Sequence, residues 1–231
     1  MAATAAVTCV GQYSVCAMRA ARLDATCTPL NSLGSIVVTA ALVSLAMTPD
    51  VEEGKKFEPK TGCGAIPWTA EEDDRIKRYT LNMELATWDY ELVEILTGSP
   101  LIIGDGGTTY AAKVIGFESK GPNSATYNGC SLELWTKTSG SGGPCGPAST
   151  NPPYVRHIFP RCKFRIGDHT LQNDVLNAHF AGWSTNNASW NNGAITLEWD
   201  ATVPLSDDAP YAQVYASALP TTGCGIISTL S

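Results

Sequence analysis

Polar and apolar side chains alternate along residues 75–86. Leu81 and Met83 fall on one face of this segment, while Asn82 and Glu84 fall on the other. A period of two is typical of a β-strand with one face buried and one face in water. The segment is therefore predicted to be a half-buried strand.

A second apolar segment, residues 35–48, is rich in Val, Leu and Ile with small residues between them. β-Branched side chains favour a strand over a helix, and Pro49 is expected to end it. The polar residues 50–69 then separate this strand from residues 75–86. Excursions of this length are usually functional or disordered. We therefore predict one hairpin with a long tip.

The strongest helix pattern covers residues 87–97. Thr87 can cap its N-terminus, and Asp89 and Glu91 lie in the first turn, where the helix dipole favours acidic groups. Gly98 is expected to end the helix. Four apolar residues at spacings of three and four share one face: Trp88, Leu92, Ile95 and Leu96.

The remaining pattern consists of short strands separated by Gly, Pro, Asn and Ser. The predicted strands are residues 14–23, 112–118, 130–136, 154–166, 176–184, 194–202 and 212–217. The predicted fold class is mainly β, an antiparallel β-sandwich or barrel with one flanking α-helix and a long β-hairpin arm. We expect a single domain over residues 1–231. The N-terminal segment is 1–34, the hairpin arm about 49–69 and the C-terminal extension about 218–231.

Charged residues make up only 16% of the 231 residues, although the hydrophobic share of 44% is ordinary for a folded protein. Little charged surface suits a protein that is covered by copies of itself. The net charge of −7 and the absence of a basic run argue against stable nucleic-acid binding.

The eight cysteines form no CxxC pair and match no zinc-site spacing. The N-terminal residues do not have the pattern of a signal peptide, which favours reduced thiols over a disulfide framework. The most apolar stretch, residues 36–47, is too short to span a membrane.

No catalytic constellation stands out. The Gly-rich run at 139–147 lacks the Lys-Ser/Thr of a phosphate loop, and no GxSxG or HExxH pattern occurs. The acidic run at 71–74 is expected to be a solvated face, and Glu198 with Asp200 gives only a weak glycosidase signal. His179 is expected on a sheet face, and Cys162 is expected to be a buried thiol rather than a reactive one. We predict no enzyme activity, no cofactor and no metal site.

Several segments, taken in order along the chain, resemble the major tail tube proteins of long-tailed bacteriophages, particularly those that infect actinobacteria. The segments are Ala-Met-Arg-Ala-Ala-Arg-Leu-Asp at 17–24, Pro-Leu-Asn-Ser-Leu-Gly at 29–34, Thr-Pro-Asp-Val-Glu-Glu-Gly-Lys-Lys at 48–56, Asp-Arg-Ile-Lys-Arg-Tyr-Thr-Leu-Asn-Met-Glu-Leu at 74–85, Glu-Ile-Leu-Thr-Gly at 94–98, Leu-Glu-Leu-Trp-Thr at 132–136, Arg-His-Ile-Phe-Pro-Arg at 156–161, and Gly-Trp-Ser-Thr-Asn-Asn at 182–187 with Trp190 and Gly193. The resemblance covers nearly the whole chain.

The resemblance implies a structural virion protein that is made in the host bacterial cytoplasm and resides in the virion tail. Its subunits would form hexameric rings that stack into a tube for genomic DNA, which passes without specific binding. Besides itself, its partners would be the tape measure and tail terminator proteins, and no membrane. The hairpin and the termini are the usual ring-to-ring contacts. We therefore expect self-association through the start of the tip, at Glu52, Glu53, Lys55, Lys56 and Phe57.

Three alternatives remain open. Another virion role, as tail terminator or head decoration protein, would fit the same composition. A carbohydrate-binding β-sandwich would explain the Trp- and Asn-rich residues 183–199, since aromatic rings stack on sugars. A jelly-roll hydrolase would need convergent carboxylates in a cleft.

Overall fold

The computed structural model describes residues 11–30, 34–64, 66–104, 113–121, 126–139, 153–169, 177–190 and 205–220. The strands in chain order are β1 (Gln12–Arg22), β2 (Ile36–Thr39), β3 (Leu42–Glu52), β4 (Lys56–Phe57), β5 (Ala70–Glu71), β6 (Arg75–Leu85), β7 (Leu101–Ile103), β8 (Val114–Phe117), β9 (Cys130–Thr138), β10 (Tyr154–Ile166), β11 (Ala178–Thr185) and β12 (Ala212–Ala216). A single helix, α1 (Tyr90–Thr97), lies between β6 and β7. The predicted fold class, mainly β with a large antiparallel sheet and one helix, is confirmed.

The main sheet has the order β2-β1-β9-β10-β11-β6-β3, and β12 pairs with the N-terminal half of β10. β2 and β3 lie at opposite ends of this order, yet only Ala40 and Ala41 separate them in the chain. Two residues span at most about 10 Å, so the ends of the sheet must come close together. The sheet is therefore rolled up on itself.

The prediction of one strand over residues 35–48 was wrong at both ends of β3. The hydroxyl of Thr39 accepts a hydrogen bond of 3.0 Å from the backbone N–H of Ala41, and this local turn breaks the segment into β2 and β3. Pro49 does not end β3, which continues to Glu52. A proline is tolerated there because β3 is an edge strand, where a missing N–H removes no ladder bond.

The predicted helix begins later than expected. Asp89, not Thr87, is the N-cap, and its carboxylate accepts hydrogen bonds from the backbone N–H groups of Glu91 and Leu92 at 3.1 and 3.2 Å. Trp88 precedes the helix and stacks on Phe117, with ring centroids 6.0 Å apart. Leu92, Ile95 and Leu96 are buried, as predicted.

The main core lies between α1 and the inner face of the rolled sheet. The helix residues pack there with apolar side chains from six strands: Met18, Ala20, Val37, Leu81, Met83, Leu85, Cys130, Leu132, Leu134, Phe159, Cys162, Phe164, Ala178 and Phe180. The predicted strand at 154–166 is β10, and those at 14–23, 75–86, 112–118, 130–136 and 212–217 match β1, β6, β8, β9 and β12 to within two residues at each end. The strand at 176–184 matches β11 where it is described. The strand predicted at 194–202 lies outside the described residues.

A buried ionic cluster occupies the other face of β1, β9 and β10. Glu133 bonds Arg156 at 2.8 Å and also pairs with Arg19, and all three side chains are almost completely buried. The ring of Trp135 lies beside both guanidinium groups, 5.2 Å from Arg19 and 5.5 Å from Arg156. The sheet is thus buried on both faces at this point.

Gly98 ends α1 in a left-handed conformation, with φ of +71°. A Cβ atom at this position would lie 2.7 Å from Cγ of Tyr127, whose hydroxyl donates to the carbonyl of Ile95. We expect Gly98→Ala to lower the free energy of unfolding by about 1–3 kcal/mol, because both the backbone and the ring would be strained.

Urea denaturation measures this loss. Gly116→Ala is the matched control, since its Cβ would meet Ile102 at an ordinary 3.7 Å. Equal losses in the two variants would contradict the argument from the left-handed backbone.

Candidate self-association surface

A long hairpin is formed by β3, β6 and the residues 53–74 between them. We call the whole hairpin the arm and residues 53–74 the tip. The ladder runs from Leu42 opposite Leu85 to Glu52 opposite Arg75. Near its far end, Arg78 bonds Asp50 at 2.6 Å. The arm begins as part of the rolled sheet, and its far half is exposed on both faces.

Backbone contacts give the tip a defined shape. The N–H of Gly54 donates to Asp74 at 2.8 Å, and the N–H of Glu72 donates to the carbonyl of Lys55 at 3.1 Å. The short strands β4 and β5 pair just beyond. A Cβ atom on Gly54 would lie 1.7 Å from the carbonyl oxygen of Glu72, so only glycine allows this approach. The tip therefore closes on itself rather than forming an open loop.

The arm carries a concentration of exposed apolar side chains. Of the fifteen large apolar residues that are exposed in the described part of the chain, seven belong to the arm: Val43, Met47, Val51, Phe57, Ile66, Trp68 and Ile76. Trp68 is 56% exposed, and Val51 lies directly opposite Ile76 in the ladder. Single exposed apolar residues are ordinary, but a group of them marks an interaction surface.

The outer edge of β3 adds backbone groups to this surface. Among the described strands, β3 pairs only with β6, so its other edge presents unpaired N–H and C=O groups along eleven residues. An exposed edge of this length can pair with a strand from another molecule. Pro49 interrupts the edge at one point and limits where such pairing can occur.

The five residues predicted for self-association lie together at the start of the tip. Glu52 ends β3, Lys56 and Phe57 form β4, and all five side chains are exposed. Lys56 bonds Glu58 within the same chain at 2.6 Å, and this hydrogen bond raises the pKa of the lysine. Pairing of these charges with another subunit stays a prediction.

The sequence pattern did not predict the exposed apolar side chains of this surface. Ile66 and Trp68 lie in residues 50–69, which are predicted to be a polar excursion. Ile76 falls on the strand face that Asn82 and Glu84 mark as polar. An isolated tryptophan within a long polar excursion was the available signal. The surface combines charged, aromatic and backbone groups, as protein interfaces do.

Among the histidines and cysteines of the described residues, His157 is partly buried and Cys130 and Cys162 are fully buried. His157 is hydrogen-bonded to Gln12 at 2.8 Å and to Tyr211 at 2.7 Å, and burial lowers its pKa. Cys162 is buried, as predicted, and burial raises its pKa well above the usual value, as it raises that of Cys130 to about 12. Thiols in this state are poor nucleophiles.

The described residues include several of the other candidate features. No group of three or more His, Cys, Asp and Glu side chains there could hold a metal ion. His179 is exposed on β11, and residues 71–74 are exposed, as expected. Asn187 is buried, and its amide donates to the carbonyls of Cys27 and Pro160. Glu198, Asp200 and nearly all of the Gly-rich run lie outside the described residues.

Among the described residues, no helix has the length and apolar character needed to cross a membrane. A scan against protein-family models and a search of curated proteins give no match to this chain.

Proposed function

We propose that this chain is a structural virion protein that polymerises, as stacked hexameric rings, into the tail tube of a long-tailed bacteriophage. The observation that carries the proposal is the arm, with seven large apolar side chains that are exposed in the described part of the chain. Apolar side chains in this number are stabilised when another molecule buries them. The resemblance of the chain to tail tube proteins implies that this molecule is a further copy.

The open edge of β3 supports a closed ring. A contact between two different surfaces of identical subunits gives a ring when the rotation closes, and rings that repeat the contact along an axis give a tube. Strand pairing between neighbours would also remove the exposed edge that a monomer leaves unprotected. The arm then supplies reach from one ring to the next.

The net charge is compatible with passage of DNA. Six copies at −7 each give a ring of about −42. If part of this charge lines the lumen, phosphates are repelled from the wall and the DNA slides without sticking. A density map of the tube with a basic lumen would contradict this hypothesis.

Negative-stain electron microscopy of the purified protein tests the proposal. As protein concentration rises, we expect tubes of uniform diameter with a regular axial repeat, and light scattering that increases above a critical concentration. Rings that do not stack would instead favour a tail terminator. A monomer at every concentration would contradict self-assembly.

The carbohydrate-binding alternative has less support. It rests on residues 183–199, but Trp190 packs in a core cluster and the Asn187 amide is bonded to backbone carbonyls. Trp183, 41% exposed, is the one described tryptophan of this region that a sugar could stack on. Glycan-array binding by a monodisperse monomer would favour this alternative.

A further inference from the structure

A row of three basic side chains lies on β10. Arg161, Lys163 and Arg165 occupy every second position, so they share one face of the strand, opposite the buried Cys162 and Phe164. Successive members are about 7 Å apart, from the rise of an extended chain. We call these three residues the basic row. It is an ordered line of positive charge on a protein whose net charge is negative.

The basic row makes no ion pair with the described residues. Its register partners on β11 are Thr185, Trp183 and Ala181, none of which is acidic. The five ion pairs of the described chain involve other residues. Arg165 is exposed, and Arg161 and Lys163 are partly exposed, so all three side chains can be reached from solvent.

The tip, in contrast to the basic row, has a negative net charge. Residues 53–74 have six carboxylates and three lysines, a net charge of −3. Glu58 is paired with Lys56, and Asp74 accepts from Gly54. Three further carboxylates of the tip make no ion pair with the described residues: Glu53, Glu72 and Asp73. Glu71 lies opposite Lys56 in the pair of β4 and β5.

We propose that the basic row of one copy is the seat for the acidic tip of the next copy. The inference rests on the proposed function and adds to it the surface that receives the arm. Charge complementarity selects this pairing, since unpaired acidic groups and unpaired basic groups occur on two separate elements of the same chain. Trp183, exposed beside Lys163, supplies an apolar contact for Phe57 and Trp68.

A nucleic acid is a less suitable occupant of the basic row. A protein that binds nucleic acid usually has a larger basic surface than three side chains on one strand. Ion pairs between the tip and the basic row predict an assembly rate that falls with salt, because the screening length is about 10 Å at 0.1 M.

A charge exchange tests the inference. The row variant is Lys163→Glu with Arg165→Glu, and the tip variant is Glu72→Lys with Asp73→Lys. We expect each variant alone to raise the critical concentration for tube formation by about tenfold or more, and the combination to return it to within about threefold of the wild type. Light scattering and microscopy give the readout, with circular dichroism to verify folding.

Matched controls reverse single exposed charges elsewhere, as Lys137→Glu on β9 and Glu118→Lys after β8, and should assemble like the wild type. A combined variant as defective as the single ones, or a row variant that assembles normally, would overturn the seat while leaving the tube intact. Absence of tubes from wild-type protein would instead refute the proposed function, and the seat with it.

Binding of a labelled oligothymidylate tests whether a nucleic acid, rather than the tip, occupies the basic row. If the row variant loses oligonucleotide binding while the tip variant assembles normally, the basic row holds a polyanion and the inference is wrong. No oligonucleotide binding by wild-type protein, together with rescue in the combined variant, supports it.

Discussion

Replacement of the tip, residues 53–74, by an Asn-Gly turn is expected to give a folded subunit that forms no tubes. Glu52 and Arg75 are opposite each other in the ladder, so a two-residue turn can join them and keep β3 and β6 paired. The replacement removes Phe57, Ile66 and Trp68 together with the unpaired carboxylates of the tip. Microscopy and light scattering should show a monomer at concentrations where the wild type polymerises, with an unchanged circular dichroism spectrum.

A pair of glycine variants separates the shape of the tip from its composition. Gly54→Ala forces the chain away from the carbonyl of Glu72, whereas a Cβ on Gly62 would meet nothing within 4 Å. We expect Gly54→Ala to weaken assembly and Gly62→Ala to leave it unchanged. Tubes of normal length from the tip replacement would rule out the role that we give to the arm.

The sequence predicted correctly those elements whose apolar side chains are buried within the same subunit. β10 is the clearest case, since its limits at Tyr154 and Ile166 agree with the prediction. In the C-terminal half of this strand, Cys162 and Phe164 are buried and alternate with basic residues that reach solvent, so burial follows hydrophobicity there. The helix core was predicted for the same reason, although the cap moved from Thr87 to Asp89.

The pattern of apolar residues gave a wrong prediction where apolar side chains are not buried. All four residues of β2 are buried, while β3, which follows it with a similar apolar content, is mostly exposed. No periodicity marks the turn at Ala41, because it depends on one hydroxyl of Thr39. Val43, Met47 and Val51 are apolar, yet their side chains are exposed in the described part of the chain. This mismatch is the strongest structural support for an interface along β3.

Contacts between residues that are far apart in the sequence could not be predicted either. Arg19, Glu133 and Arg156 come from three strands and meet only after β1, β9 and β10 have paired. In the sequence, Glu133 alternates with apolar neighbours and resembles an ordinary solvent-facing residue. A buried carboxylate between two arginines can be identified only once the register is known.

Glu133→Gln is expected to lower the free energy of unfolding by about 3–5 kcal/mol, because it leaves two buried arginines without their counter-charge. Burial by itself would raise the pKa of Glu133, but the guanidinium groups of Arg19 and Arg156 outweigh burial and hold it below the ordinary value of 4.5. The charged form is therefore the one that the folded state favours. Urea denaturation of monomeric protein at pH 7 measures the loss.

Glu94→Gln provides the matched control, since Glu94 also bonds an arginine, Arg22 at 2.7 Å, but in a partly exposed pair. It should cost at most about 1 kcal/mol. The pH dependence gives a second test of the cluster. A depressed carboxyl pKa contributes stability that is fully present above pH 4.5 and is lost as pH falls through the lower folded value. The wild type should therefore lose stability in acid more steeply than Glu133→Gln, so that the difference between the two proteins narrows below pH 4.5. If both proteins respond to acid equally, the carboxylate does not stabilise the fold through its charge, and the two arginines must be compensated by other groups.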